Sequence, residues 1–148
     1  MRNFFQTTET IGTSGQPTRE EFADIARQGY RTVINLAMHD SDYALADEGS
    51  VVASLGMTYI HLPVPFDAPT RDHLAAFMAF MRAVEAQKVW VHCAMNMRVS
   101  AFMYHYLVLD KGVTPAQAKN PILQIWEPTM APAWRQFLAL TQTGPELP

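Results

Sequence analysis

Residues Val89–His92 read VWVH, a short apolar run closed by the only cysteine of the chain, Cys93. A run this brief and this uniformly apolar suits a central strand covered on both faces. Such a strand obliges the rest of the chain to supply layers above and below it. The expectation is therefore α/β: a mostly parallel sheet of four to five strands with helices on both faces.

The rest of the chain supplies alternating strands and helices. Asn3–Gln6 is a candidate edge strand, and Thr13–Thr18 (TSGQPT) is a turn-rich loop. Thr18 with Glu21 forms a capping box behind Pro17, so a helix starts there and stops at Gly29. Thr32–Leu36 is a strand, Asp42–Leu55 a helix closed by Gly56, and Met57–Leu62 the next strand. Three prolines in Pro63–Thr70 exclude both helix and ladder. Leu74, Phe77, Met78, Met81 and Val84 follow the spacing of a one-sided helix capped by Thr70. Arg98–Leu109 is a helix ended by Gly112. Thr114-Pro115 caps a short helix, and Ala133–Leu140 forms the last. No repeat or linker interrupts the pattern, so 1–148 is read as one domain.

Composition narrows the function classes. The net charge is -3 and no block of Lys or Arg occurs, which argues against a nucleic-acid partner. No apolar run reaches about 18 residues, so no membrane span is expected. A single cysteine makes no internal disulfide, and MRNFFQTTET holds no apolar signal core; a cytoplasmic location is expected. His39, His61, His73, His92 and His105 lack the spacings of a metal site, so neither metal nor other cofactor is expected. Most of the nine methionines fall at helical core spacing.

Cys93 ends a strand whose carboxyl end, in a parallel sheet, faces the ligand crevice. A thiol reacts as the thiolate, and a helix N-terminus offers unpaired N–H groups that favour an anion. Arg98 adds a full charge and a forked donor for an oxyanion. Cys93, the loop residues Ala94, Met95, Asn96 and Met97, and Arg98 thus form a candidate anion cradle. Asn96 suits a position of positive φ. Ser100 is a candidate hydrogen-bond partner of the Cys93 Sγ, and His92 a candidate support of the loop. Met95 and Met97 give the cradle an apolar rim. The expected partner is a small anionic or phosphorylated substrate.

The segment HCAMNMRVS resembles the signature of the cysteine-dependent protein tyrosine and dual-specificity phosphatases: His-Cys, five residues, Arg, then Ser or Thr. Together with TSGQPT, GYRTVINL, GMTYIHLPV and DHLAAFMAFM, it is similar to a bacterial phosphatase-like group of unknown-function domains. Members of that group are also found fused to metallo-β-lactamase-like domains. The resemblance covers about residues 3–140. It implies a phosphotyrosine protein phosphatase II-like fold and hydrolysis of a phosphoester through a thiophosphate on Cys93. It also implies that Arg98 holds the phosphoryl oxygens and that Ser100 assists breakdown of the intermediate.

One feature separates this chain from that pattern. Four residues, not five, stand between Cys93 and Arg98. Either the loop keeps its length and the arginine comes one step early, about 100° of rotation on a helix, or the loop is one residue tighter. The shorter spacing matches rhodanese-type sulfurtransferases, which carry a persulfide on Cys; a non-catalytic anion-binding relic is the third alternative. The general acid is also open. The resemblance implies an aspartate on a loop before the Cys strand, where Asp67 is preferred over Asp72. Asp40 and Asp42, at another strand's carboxyl end, stand in reserve.

Overall fold

The computed structural model describes residues 1–141. Five strands, β1 (Phe5–Thr8), β2 (Ile11–Ser14), β3 (Thr32–Asn35), β4 (Thr58–His61) and β5 (Val89–His92), form one sheet in the order β1-β2-β5-β3-β4. Only the β1–β2 hairpin is antiparallel. β5 is central, and all four of its residues are buried.

Successive side chains of a strand face opposite sides, so each strand feeds two cores. Val33 and Trp90 pack with Phe22 and Ile25 of α1 (Arg19–Arg27) and Val52 of α2 (Glu48–Ser54). Ile34, Val89 and Val91 pack on the other side against α3 (Arg71–Ala83) and α4 (Met97–Lys111). After α5 (Pro115–Ala118), the helices α6 (Pro121–Trp126) and α7 (Pro132–Leu138) complete that larger core. Among the described residues no helix is long and apolar enough to cross a membrane.

Three elements differ from expectation, each for a physical reason. β2 lies partly inside the segment assigned to a turn-rich loop. Its IGTS sequence has weak strand propensity, and pairing with both β1 and β5 makes it a strand. Gly12 is needed there because a Cβ would strike the Trp90 ring. The helix expected over Asp42–Leu55 is cut to Glu48–Ser54. Tyr43 has φ 68, outside helical space, and the Arg2 guanidinium lies 3.6 Å from its ring centre. Residues 38–47 are therefore loop. Finally, α6 was not expected, although Asn120 caps it and Pro121 begins it.

The edge strand expected at Asn3–Gln6 runs two residues later, at Phe5–Thr8, and the other boundaries agree closely. Thr18 and Thr70 both form capping boxes, the second with His73. Gly29, Gly56 and Gly112 all take positive φ after their helices.

Candidate active site

The carboxyl ends of β3 and β5 open into a cleft of about 380 Å³ lined by Cys93, Ala94, Met95, Met97 and Arg98. Met38, Asp40, Ser41, Asp42 and Phe66 complete it. Cys93 is fully buried at its floor.

The loop between β5 and α4 turns its carbonyls away from this cleft, and each has an identified partner. The Cys93 oxygen faces His92 Nδ1 at 3.1 Å, and the Ala94 oxygen accepts from the Gln16 N–H at 2.9 Å. The Met95 oxygen accepts from Asn3 Nδ2 at 2.9 Å, and the Asn96 oxygen from Ser100 Oγ at 2.7 Å. In a trans peptide the following N–H points opposite to the carbonyl. The N–H groups of Ala94, Met95, Asn96 and Met97 are thereby turned the other way, and none has a backbone acceptor among the described residues. Main-chain N–H groups arranged in this way are suited to hold an anion.

Asn96 makes the turn possible. It adopts φ 68, and its buried Nδ2 donates to the Asn3 oxygen at 2.8 Å and to Thr13 Oγ1 at 3.2 Å. Ser100 donates its hydroxyl proton to the Asn96 oxygen and accepts from Asn120 Nδ2 at 2.8 Å. Its one proton is thus committed to the loop backbone, so Ser100 braces the turn instead of donating to Cys93.

Arg98 is 5% exposed. Its Nη1 donates to the Val64 oxygen at 2.9 Å, and its guanidinium lies 5.5 Å from the Phe66 ring centre. Its buried Nε has no partner among the described residues. An unpaired donor on a buried cation is costly, and an oxyanion in the cleft would meet that need.

The aspartates divide. Asp40 and Asp42 line the cleft from the loop after β3. Asp67 is exposed in the turn closed by the Ala68 N–H on the Pro65 oxygen, one residue beyond the cleft wall Phe66. Phe66 is itself held, by a 2.6 Å bond from Trp134 Nε1 to its carbonyl and by stacking on Trp126. Asp72 lies in the first turn of α3. No group of three or more His, Cys, Asp or Glu placed to hold a metal occurs among the described residues.

Two buried residues not expected from the sequence stand behind the loop. Glu48 Oε2 lies 2.6 Å from His92 Nε2, and its Oε1 accepts from Gln16 Nε2 at 2.7 Å. Burial pushes the Glu48 carboxyl upward. Bonds from His92, Gln16 and Tyr59, with the charge of His92, outweigh that and hold it below its ordinary 4.5. Tyr59 is pushed up to about 12 by burial and by the nearby Glu48. Gln16 carried a signal, since it lies in the SGQP segment. Glu48 carried none, being one more acid in a polar stretch.

The comparisons with known proteins concern the family and the fold. The model of a family described as dual-specificity-type tyrosine phosphatase domains fused to NAD+ kinase matches residues 6–125. A crystal structure of a DUF442 candidate phosphatase from Shewanella putrefaciens CN-32 superposes with a TM-score of 0.84 at 32% identity, covering 93% of this chain and 89% of that one. The active form of the phosphatase Tk-PTP superposes at 0.71 and 19% identity over 92% and 93% of the two chains, a likeness of fold. A β-lactamase hydrolase-like protein of Xylella fastidiosa is 31% identical over 93 residues, 61% of this chain and 21% of that protein. The chain thus spans about a fifth of the length of the curated relatives it matches.

Proposed function

The chain belongs to the family of dual-specificity-type tyrosine phosphatase domains, and from that premise we propose a cysteine-dependent phosphatase acting on a small phosphoester. One observation carries the reading. Cys93, the inward loop N–H groups and the half-satisfied Arg98 all converge on one cleft.

In this reading the Cys93 thiolate attacks phosphorus and the bond to the leaving oxygen breaks, giving a thiophosphate. The loop N–H groups and Arg98 hold the non-bridging oxygens as charge develops on them. A carboxylic acid protonates the leaving oxygen, and water then releases phosphate and regenerates the thiolate. Asp67 is the acid implied by the family pattern; Asp40 and Asp42 are supported by their place in the cleft wall. The rim of Met38, Phe66, Met95 and Met97 favours an apolar aryl or alkyl group over a charged phosphopeptide.

The test is hydrolysis of two aryl phosphates, one with a good and one with a poor leaving group, by wild type and the Asp40→Asn, Asp42→Asn and Asp67→Asn variants. Loss of the acid is expected to slow the poor leaving group about 100-fold and the good one far less. Equal effects on both substrates in all three variants would remove the general acid from the mechanism.

A second reading, persulfide transfer, is favoured by the four-residue interval from Cys93 to Arg98 and needs no acid. Thiosulfate treatment followed by mass spectrometry separates the two. Gain of one sulfur atom on Cys93 without phosphatase turnover would replace the first reading by the second, and anion binding with neither reaction would leave a binding module.

A further inference from the structure

We propose that Glu48 is a positioning residue for the Cys93 loop, acting through His92 and Gln16 to hold the loop carbonyls out of the cleft. The inference rests on the reading of this loop as an anion cradle.

Glu48 lies in the first turn of α2 and is 4% exposed. Its Oε2 faces His92 Nε2 and its Oε1 accepts from Gln16 Nε2, beside a further bond from Tyr59. His92 and Gln16 each have a second contact, on the loop itself. His92 faces the Cys93 oxygen, and the Gln16 N–H donates to the Ala94 oxygen. One carboxylate thus ties the end of β2 to the end of β5, and the two ties end on successive loop carbonyls.

The geometry makes those two carbonyls decisive. Their orientation dictates the opposite orientation of the Ala94 and Met95 N–H groups, which begin the cradle. The far half of the loop has its own supports, Asn3 and Ser100; the near half has Glu48.

A buried carboxylate is an expensive way to fill space. Its desolvation is offset only when every oxygen is paired with good geometry. Glu48 meets that condition with two partners that reach the loop, which a merely space-filling residue in α2 would not require. Glutamine at this position keeps the shape but replaces the charge and one accepting oxygen by an NH2 donor. The charge-assisted ties to His92 and Gln16 are reduced to neutral ones, and the carbonyls behind them are held less firmly out of the cleft.

The experiment measures orthophosphate affinity by titration calorimetry in the Cys93→Ser protein, with and without Glu48→Gln. It also measures kcat and KM of Glu48→Gln alone on an aryl phosphate. We expect phosphate binding to weaken about tenfold or more and kcat/KM to fall by a similar factor, because small misplacements of a binding group are costly. Unfolding is expected to stay cooperative.

Gln16→Met removes the Gln16 Nε2 bonds to Glu48 and to the neighbouring Pro17 oxygen and keeps the Gln16 backbone donor; an intermediate loss is expected, and this variant decides the matter if Glu48→Gln does not fold. Met81→Ala, at the opposite end of the larger core among Thr8, Ile11 and Val89, is the control for general destabilisation and should leave phosphate affinity unchanged.

Unchanged phosphate affinity in folded Glu48→Gln, an equal loss in Met81→Ala, or no phosphate binding even with Glu48 in place each overturns the proposal. Weakened phosphate binding in Glu48→Gln, with no phosphoester turnover by wild type, upholds it and rejects the phosphatase reading instead.

Discussion

His92 and His105 are both fully buried, one above the sheet's carboxyl edge and the other among the aromatic side chains of α4 and α7. His92 has a carboxylate on one side and a loop carbonyl on the other. His105 donates its Nε2–H to the Phe137 oxygen at 2.8 Å, has no partner for Nδ1 among the described residues, and packs its ring edge-on against Phe137. Burial pushes its pKa from 6.5 down to about 4. The same residue type is a polar connector in the first region and an uncharged packing piece in the second. The larger core holds the sheet with Phe77, Phe102, Trp134 and Phe137 in edge-to-face and tilted contacts. The polar layer holds one loop with hydrogen bonds.

If the two regions divide the work in this way, substitutions should separate activity from stability. The largest effect is expected from Cys93→Ser, which should lower turnover on the order of a thousandfold or more with unfolding unchanged. A comparable loss of stability in that variant would show that the thiol is packing.

Phe102→Ala should do the reverse. It removes a fully buried ring contacting Phe77, Trp134 and Phe137 and should cost about 3–5 kcal/mol in denaturant unfolding. Turnover per folded molecule should hold.

A third effect depends on pH. His105 takes up a proton more readily unfolded than folded, because its folded value of about 4 lies below 6.5. Its contribution is complete above about pH 6.5 and is lost as pH falls toward 4. The total is on the order of 3 kcal/mol. Glu48, also lowered in the folded state, adds its own loss only below its ordinary 4.5. Urea unfolding of His105→Gln at several pH values should therefore lose the slope between 6.5 and 4 and keep the steeper fall below it. An unchanged slope would place the pH sensitivity in the polar layer.

The smallest effect belongs to Thr70→Ala. The Thr70 hydroxyl accepts from the His73 N–H at 3.1 Å and caps the helix that follows the Asp67 loop. A loss of about 1 kcal/mol is expected from thermal unfolding, with little change in turnover. A large fall in turnover would tie the cap to the placing of Asp67.

The parts of the fold that were legible rest on local rules. Apolar spacing gave α3, the capping box at Thr18 and the cap at Thr70 gave two helix starts, and the short run at Val89 gave the central strand. The cradle was legible because its function demands particular residue types close together: Cys93, a residue tolerant of positive φ, and Arg98. What was not legible depends on distant partners. The Glu48–His92 bond spans 44 residues and the Asn96–Thr13 bond 83. No local pattern marks either. Asp40 and Asp42 were legible at a strand's carboxyl end, but the continuation of their loop to residue 47 was hidden by a stretch of ordinary helix formers, which the left-handed Tyr43 interrupts.

By itself the sequence determined the layered α/β class, the place of Cys93 at a strand's carboxyl end and the short interval to Arg98, since short-range spacing and backbone preference decide these. The tertiary structure alone decided which acids reach the cleft, where the Arg98 guanidinium points and what holds the loop carbonyls outward. Those outcomes follow from which buried polar groups find partners across the fold, and a group removed from water takes whichever partner the packing brings within reach.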